Sequence, residues 1–146
     1  MQKILLATDG SEYSLESLKK VVPMIKKLEA HLTLLSVAEE VPSIRGTEGL
    51  SKNETELLVN SINQEVEEGL ERARNMFEAE GIKVETMKKA GKPAEMICNV
   101  ASSGGFELVI LGDTGRGGLS ELFLGSVSNK VVHQCKAHVM IVKRDY

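Results

Sequence analysis

The residues best suited to chemistry fall in one stretch, Gly112-Asp113-Thr114-Gly115-Arg116 followed, after nine intervening residues beyond Gly115, by Gly125-Ser126-Val127-Ser128. Glycines let a backbone approach a ligand closely, and the N–H groups of a helix start, with hydroxyls beside them, suit phosphate oxygens. The apolar run Leu108–Leu111 ahead of the stretch has the length and branching of a buried strand. Behind it Val127, Val131, Val132 and Cys135 recur at helical spacing, with Ser126 or Ser128 placed to cap that helix. Two small-residue turns therefore bracket one cavity. A plain pair of structural turns would need neither this many glycines nor this many hydroxyls.

Other chemistries are poorly served. No glycine-rich loop follows the first apolar run, so the Rossmann dinucleotide fingerprint and the P-loop are both absent. His31, His133 and His138 form no ligand spacing with Cys98 and Cys135. The two cysteines lack a C-x-x-C spacing and each falls in an apolar-periodic helix, so they are expected to be reduced core thiols, not a disulfide. No Ser-His-Asp order, paired catalytic carboxylates or general base beside the glycine stretch can be read. A net charge of −3 leaves no basic footprint for nucleic acid.

The elements that must position these residues follow from the hydrophobic pattern. At 146 residues, 42% hydrophobic and 27% charged, the chain reads as one domain over residues 1–146. Its start lacks a signal-peptide core, and no apolar run approaches the ~18 residues of a membrane span, so the expected location is cytoplasmic. Lys3–Thr8 and His31–Val37 read as buried strands, Ile82–Lys88 alternates as an edge strand does, and Leu108–Leu111 and His138–Val142 complete five. Between the first two lie Leu15, Leu18, Val22 and Ile25 at helical spacing, interrupted by Pro23, which should kink or restart the helix. Ala38–Leu50 reads as a mobile loop, a long helix runs from about Asn53 to Gly81, and Gly91-Lys92-Pro93 opens a further helix ended by Gly104-Gly105. Strands alternating with helices predict a doubly wound parallel α/β fold. With strand order 3-2-1-4-5, the ligand crevice falls between strands one and four, where Asp9 and Gly112 end their strands.

The spacing Gly112-x2-Gly115-x9-Gly125-Ser126 resembles the nucleotide signature of the ATP-binding branch of the universal stress protein family. KILLATDGSEYS at the start, HLTLLSV in strand two, GKPAEMI and the VMIVKR ending extend the resemblance along the chain. It implies a Rossmann-like sandwich of the adenine nucleotide alpha hydrolase type with ATP across the crevice. Adenine would meet Ala7, Thr8, Asp9 and Val37. The triphosphate would meet Leu111, Gly112, Thr114, Gly115, Arg116, Gly125, Ser126, Val127 and Ser128. Asp9 or Asp113 would approach a Mg²⁺ ion carried with ATP. For Asp9 alone, capping the first helix is an equal reading, and Arg116 reads first as a surface side chain on a mobile loop, with pairing to phosphate or Asp113 as the alternative. Asp113, where many relatives carry a small residue, would repel phosphate unless it points away or shares the metal.

The function this implies is an ATP-binding regulatory module of the stress response. The alternatives are a slow ATPase or phosphotransferase, and a nucleotide-free dimeric scaffold. Strand five leaves apolar residues on a sheet edge, which a two-fold partner would cover, so a homodimer through Val139–Val142 is expected. The resemblance implies the same homodimer.

Overall fold

The computed structural model describes residues 2–41, 44, 46–113 and 124–144. Five strands, β1 (Lys3–Ala7), β2 (His31–Ala38), β3 (Val84–Ala90), β4 (Leu108–Gly112) and β5 (His138–Val142), form one parallel sheet in the order β3-β2-β1-β4-β5. The doubly wound topology expected from the sequence is the one observed. Central β1 is apolar on both faces, which a strand covered on both sides requires. Ile4 and Leu6 pack toward α1 (Glu12–Leu18), α2 (Val22–Leu28) and α3 (Lys52–Ala79), whereas Leu5 and Ala7 pack toward α4 (Pro93–Ser103) and α5 (Ser126–Gln134).

Pro23 restarts the first helical segment. A 3₁₀ turn over Lys19–Val21 separates α1 from α2, and the proline takes a first-turn position of α2, where its missing N–H costs nothing. Strand β3 begins at Val84, not at Ile82. Ile82 belongs to the end of α3: its N–H bonds the Phe77 carbonyl at 3.0 Å and that of Gly81 bonds Glu78 at 2.9 Å, with Gly81 at φ 79°. This is the Schellman arrangement, and Ile82 is buried in the same cluster as Phe77.

Two expectations about α5 are corrected. Neither Ser126 nor Ser128 caps it: Gly125 is the N-cap and Ser126 the first helical residue. Val132 is 42% exposed, so the apolar stripe narrows to Val127 and Val131. The cysteines are also not reduced thiols. Cys98 on α4 and Cys135, the residue that ends α5, form a disulfide with Cα atoms 4.9 Å apart. A sequence separation of 37 gives no hint of pairing, but α4 and α5 lie side by side on one sheet face and bring the two half-buried residues together. Among the described residues no helix is long and apolar enough to cross a membrane.

Candidate functional site

The crevice is built by strands parting. Pairing between β1 and β4 stops at Leu6 with Ile110, although β4 continues to Gly112 beside Val142 of β5. After β1 the chain packs α1 on one face and after β4 it packs α5 on the other, so among the described residues a gap stays open at the carboxyl ends of the two strands. There a cavity of about 110 Å³ is lined by Ala7, Thr8, Asp9, Ser14, Leu35, Val37, Pro93, Ile97, Leu111, Gly112, Val127 and Ser128.

The turn after β1 is fixed by its own side chains. Thr8 is buried, its hydroxyl pairs with that of Ser14 at 2.8 Å, and it accepts the Gly10 N–H at 3.0 Å. Asp9 accepts the Ser11 N–H through Oδ1 at 2.9 Å, and Ser11 caps α1 by accepting from Ser14 N–H at 3.2 Å. Asp9 thus holds the turn with one carboxylate oxygen while lining the cavity, and the expectation that it caps α1 is corrected, since Ser11 is the cap. From the opposite side α3 presses on this turn. A Cβ on Gly10 would lie 2.4 Å from the Gly69 Cα, and Arg72 Nη2 donates to the Gly10 carbonyl at 3.0 Å.

The other wall is the start of α5. Gly125 donates to the Asp113 carbonyl at 2.7 Å, and Ser128 Oγ donates to the Gly112 carbonyl at 2.7 Å, so the helix start is clamped onto the end of β4. The first intrahelical bond is made by Asn129 N–H to Gly125, and Gly125 has no side chain to satisfy the donors ahead of it. Helix geometry therefore leaves the N–H groups of Ser126, Val127 and Ser128 without intrahelical acceptors. These donors lie at the mouth of a cavity whose inner wall, Ala7, Leu35, Val37, Ile97 and Leu111, is apolar. The arrangement suits a ligand with a flat apolar body and an anionic tail.

Of the residues singled out in the sequence, Ala7, Thr8, Asp9, Val37, Leu111, Gly112, Val127 and Ser128 line the cavity. Gly125 and Ser126 form the helix start beside it. Thr114, Gly115 and Arg116 lie outside the described residues. Asp113 is buried, 6% exposed, and is not among the residues that line the cavity. Sequence reasoning missed Ser14, Leu35, Pro93 and Ile97. Leu35 shares a face of β2 with Val37, and Pro93 and Ile97 stand one helical turn apart, so periodicity carried a signal for these three. A second groove of about 370 Å³ lies beside the first, sharing Pro93, and mixes Lys92 and Lys130 with Glu39 and Glu95. Among the described residues no cluster of three His, Cys, Asp or Glu side chains could hold a metal by itself.

Fold and crevice together define a doubly wound domain with a cavity at its topological switch point. The sequence profile of the universal stress protein family matches residues 1–143, and the chain belongs to that family. Universal stress protein YxiE of Bacillus subtilis is 33% identical over 145 residues, spanning 97% of this chain and 98% of its own. The solved structure of hypothetical protein MJ0577 of Methanocaldococcus jannaschii superposes with a TM-score of 0.76 at 26% identity, covering 99% of this chain and 97% of that one. A family protein from Arabidopsis thaliana, solved with AMP bound, shares the fold at a TM-score of 0.71 and 20% identity, covering 99% of this chain and 93% of that one.

Proposed function

We propose that this chain, with residues 1–146 acting as one unit, binds ATP with Mg²⁺ in the crevice between β1 and β4 and serves as a nucleotide-dependent regulatory module of the cytoplasmic stress response. The observation that carries the reading is the pairing of an apolar cavity with the start of α5, whose first three N–H groups have no intrahelical acceptors. Ala7, Leu35, Val37, Ile97 and Leu111 would receive the purine, Thr8 and Asp9 the ribose side, and Gly112, Ser126, Val127 and Ser128 the phosphates. Thr114, Gly115 and Arg116 would complete the phosphate side. Asp9 is the carboxylate on the wall and would hold Mg²⁺ through water. Asp113, the residue that spoke for an empty scaffold, is buried and is not among the lining residues, which supports a phosphate in the crevice. An Arabidopsis protein of the same fold holds AMP, which supports an adenine nucleotide as the occupant.

Gly125→Val places a branched side chain where phosphate must approach the backbone. Calorimetry should show Mg-ATP binding weakened by at least about tenfold, since one good charge-assisted hydrogen bond contributes roughly that much, with an unchanged circular dichroism spectrum. Equal affinity would show the glycine to be misassigned.

Turnover should be slow. Ser128, the hydroxyl on the cavity wall nearest the helix start, donates its proton to the Gly112 carbonyl and pairs with no base among the described residues. Phosphate release by the purified protein should stay well below the roughly 1 s⁻¹ of ordinary enzymes. A faster rate that vanishes in Gly125→Val would make the chain an ATPase.

The assembly we propose is a homodimer through β5. Val139, Met140 and Ile141 are half-buried on the sheet's outer edge, where a second copy would cover them. Ile141→Lys should convert a dimer to a monomer in sedimentation at micromolar concentration. Unaltered mass in the variant, or a monomeric parent, would refute this interface.

A further inference from the structure

The disulfide joins the two helices that carry one wall of the crevice. Cys98 follows Ile97, which lines the cavity from the middle of α4, and Cys135 ends α5, whose other end presents Val127 and Ser128 to the same cavity. Helix α5 has few other anchors. Of its nine residues only Ser128 and Val131 are buried, and the Ser128 hydroxyl supplies a single side-chain bond to β4. A helix this short is marginal without tertiary support, so a covalent tie at its end has an unusually large share in fixing it. Both cysteines are half-buried, neither enclosed in the core nor fully exposed, which leaves the bond open to thiol reagents.

We propose that Cys98 and Cys135 form a reversible thiol–disulfide switch that sets nucleotide affinity by holding α5 against α4; the inference rests on the nucleotide reading of the crevice. In the oxidising step one cysteine thiolate attacks a low-molecular-weight disulfide and expels one small thiol. The second cysteine then displaces the other, so two protein thiols and one small disulfide become one protein disulfide and two small thiols. In the disulfide form the α5 start is pinned where its N–H groups meet the crevice. In the dithiol form it is held by the packing of Val127 and Val131 and by the Gly125 and Ser128 hydrogen bonds to the end of β4, without a covalent tie at its far end, and the donors lose part of their fixed aim. In the reducing cytoplasm proposed above the dithiol is the resting form, and oxidant stress loads the site. A stress signal would thereby be converted into nucleotide occupancy.

The full chain would be equilibrated in buffers of reduced and oxidised glutathione and followed by alkylation mass, by amide exchange over α5 and by calorimetry with Mg-ATP. The expected result is a two-thiol interconversion, amide exchange in α5 at least tenfold faster in the dithiol form, and ATP binding at least fivefold weaker. The double variant Cys98→Ser, Cys135→Ser should match the dithiol form in both buffers. Equal ATP affinity in the two forms overturns the switch, as does a pair that glutathione cannot interconvert or a redox response that survives in the double variant. If neither form binds ATP while α5 exchange still follows the thiols, the nucleotide reading is what has failed, and the two failures are told apart.

Discussion

Gly10→Ala is expected to lower the melting temperature by about 10 °C, through roughly 3 kcal/mol of lost stability in a domain of this size. Two costs add. Gly10 sits at φ 74°, where a side chain costs ~1 kcal/mol. The new Cβ would also lie 2.4 Å from the Gly69 Cα, a contact between two backbones that no rotamer can relieve, and overpacking of this kind costs ~2 kcal/mol. Because Gly10 closes the turn held by Thr8 and Asp9, the forced shift is transmitted to the cavity wall, and ATP affinity should fall together with stability. Thermal melts of parent and variant decide it. A difference under about 2 °C, less than 1 kcal/mol on the same scale, would mean that α3 and the β1 turn are not in the contact described.

The disulfide is the second large effect. Cross-linking across a sequence separation of 37 restricts the unfolded chain, and the loop-entropy relation gives about 4 kcal/mol for that length. Guanidinium unfolding with and without reductant should therefore show an unfolding free energy lower by that amount in reductant, with the midpoint shifted down accordingly, and the parent in reductant should match Cys98→Ser, Cys135→Ser. The sheet and the α1–α3 face do not depend on the bond, so the reduced chain should stay folded with its spectrum intact. Identical midpoints in both conditions would contradict the pairing.

The strands were legible because two-sided burial leaves continuous apolar runs. Ile4–Ala7 and Val109–Leu111 have no polar residue to place on a solvent face, which is the mark of inner parallel strands. The crevice was legible for a related reason: strand ends and glycines are local features, and topology then brings Asp9 and Gly112 to one end of the sheet. What escaped was long-range or context-dependent. The cysteine pairing depends on how α4 and α5 dock, which no spacing encodes. The Ser128 hydroxyl reads as a phosphate donor, yet the Gly112 carbonyl takes its proton, which leaves the Ser128 backbone N–H for that role. Asp113 reads as a loop carboxylate, yet its backbone, bonded to Val142 and Gly125, draws it into the fold. Ile82 alternates with Val84 as a strand residue would, but the cap of α3 claims it first.

A titration of isotopically labelled protein with Mg-ATP, read as amide chemical-shift changes residue by residue, tests the nucleotide site most directly. The account predicts saturable shifts centred on Ala7–Gly10, Val37, Gly112 and Ser126–Ser128, where β1, β2 and β4 end and α5 begins. Shifts confined to the neighbouring groove at Lys92 and Lys130, or no shifts at millimolar ATP, would contradict it.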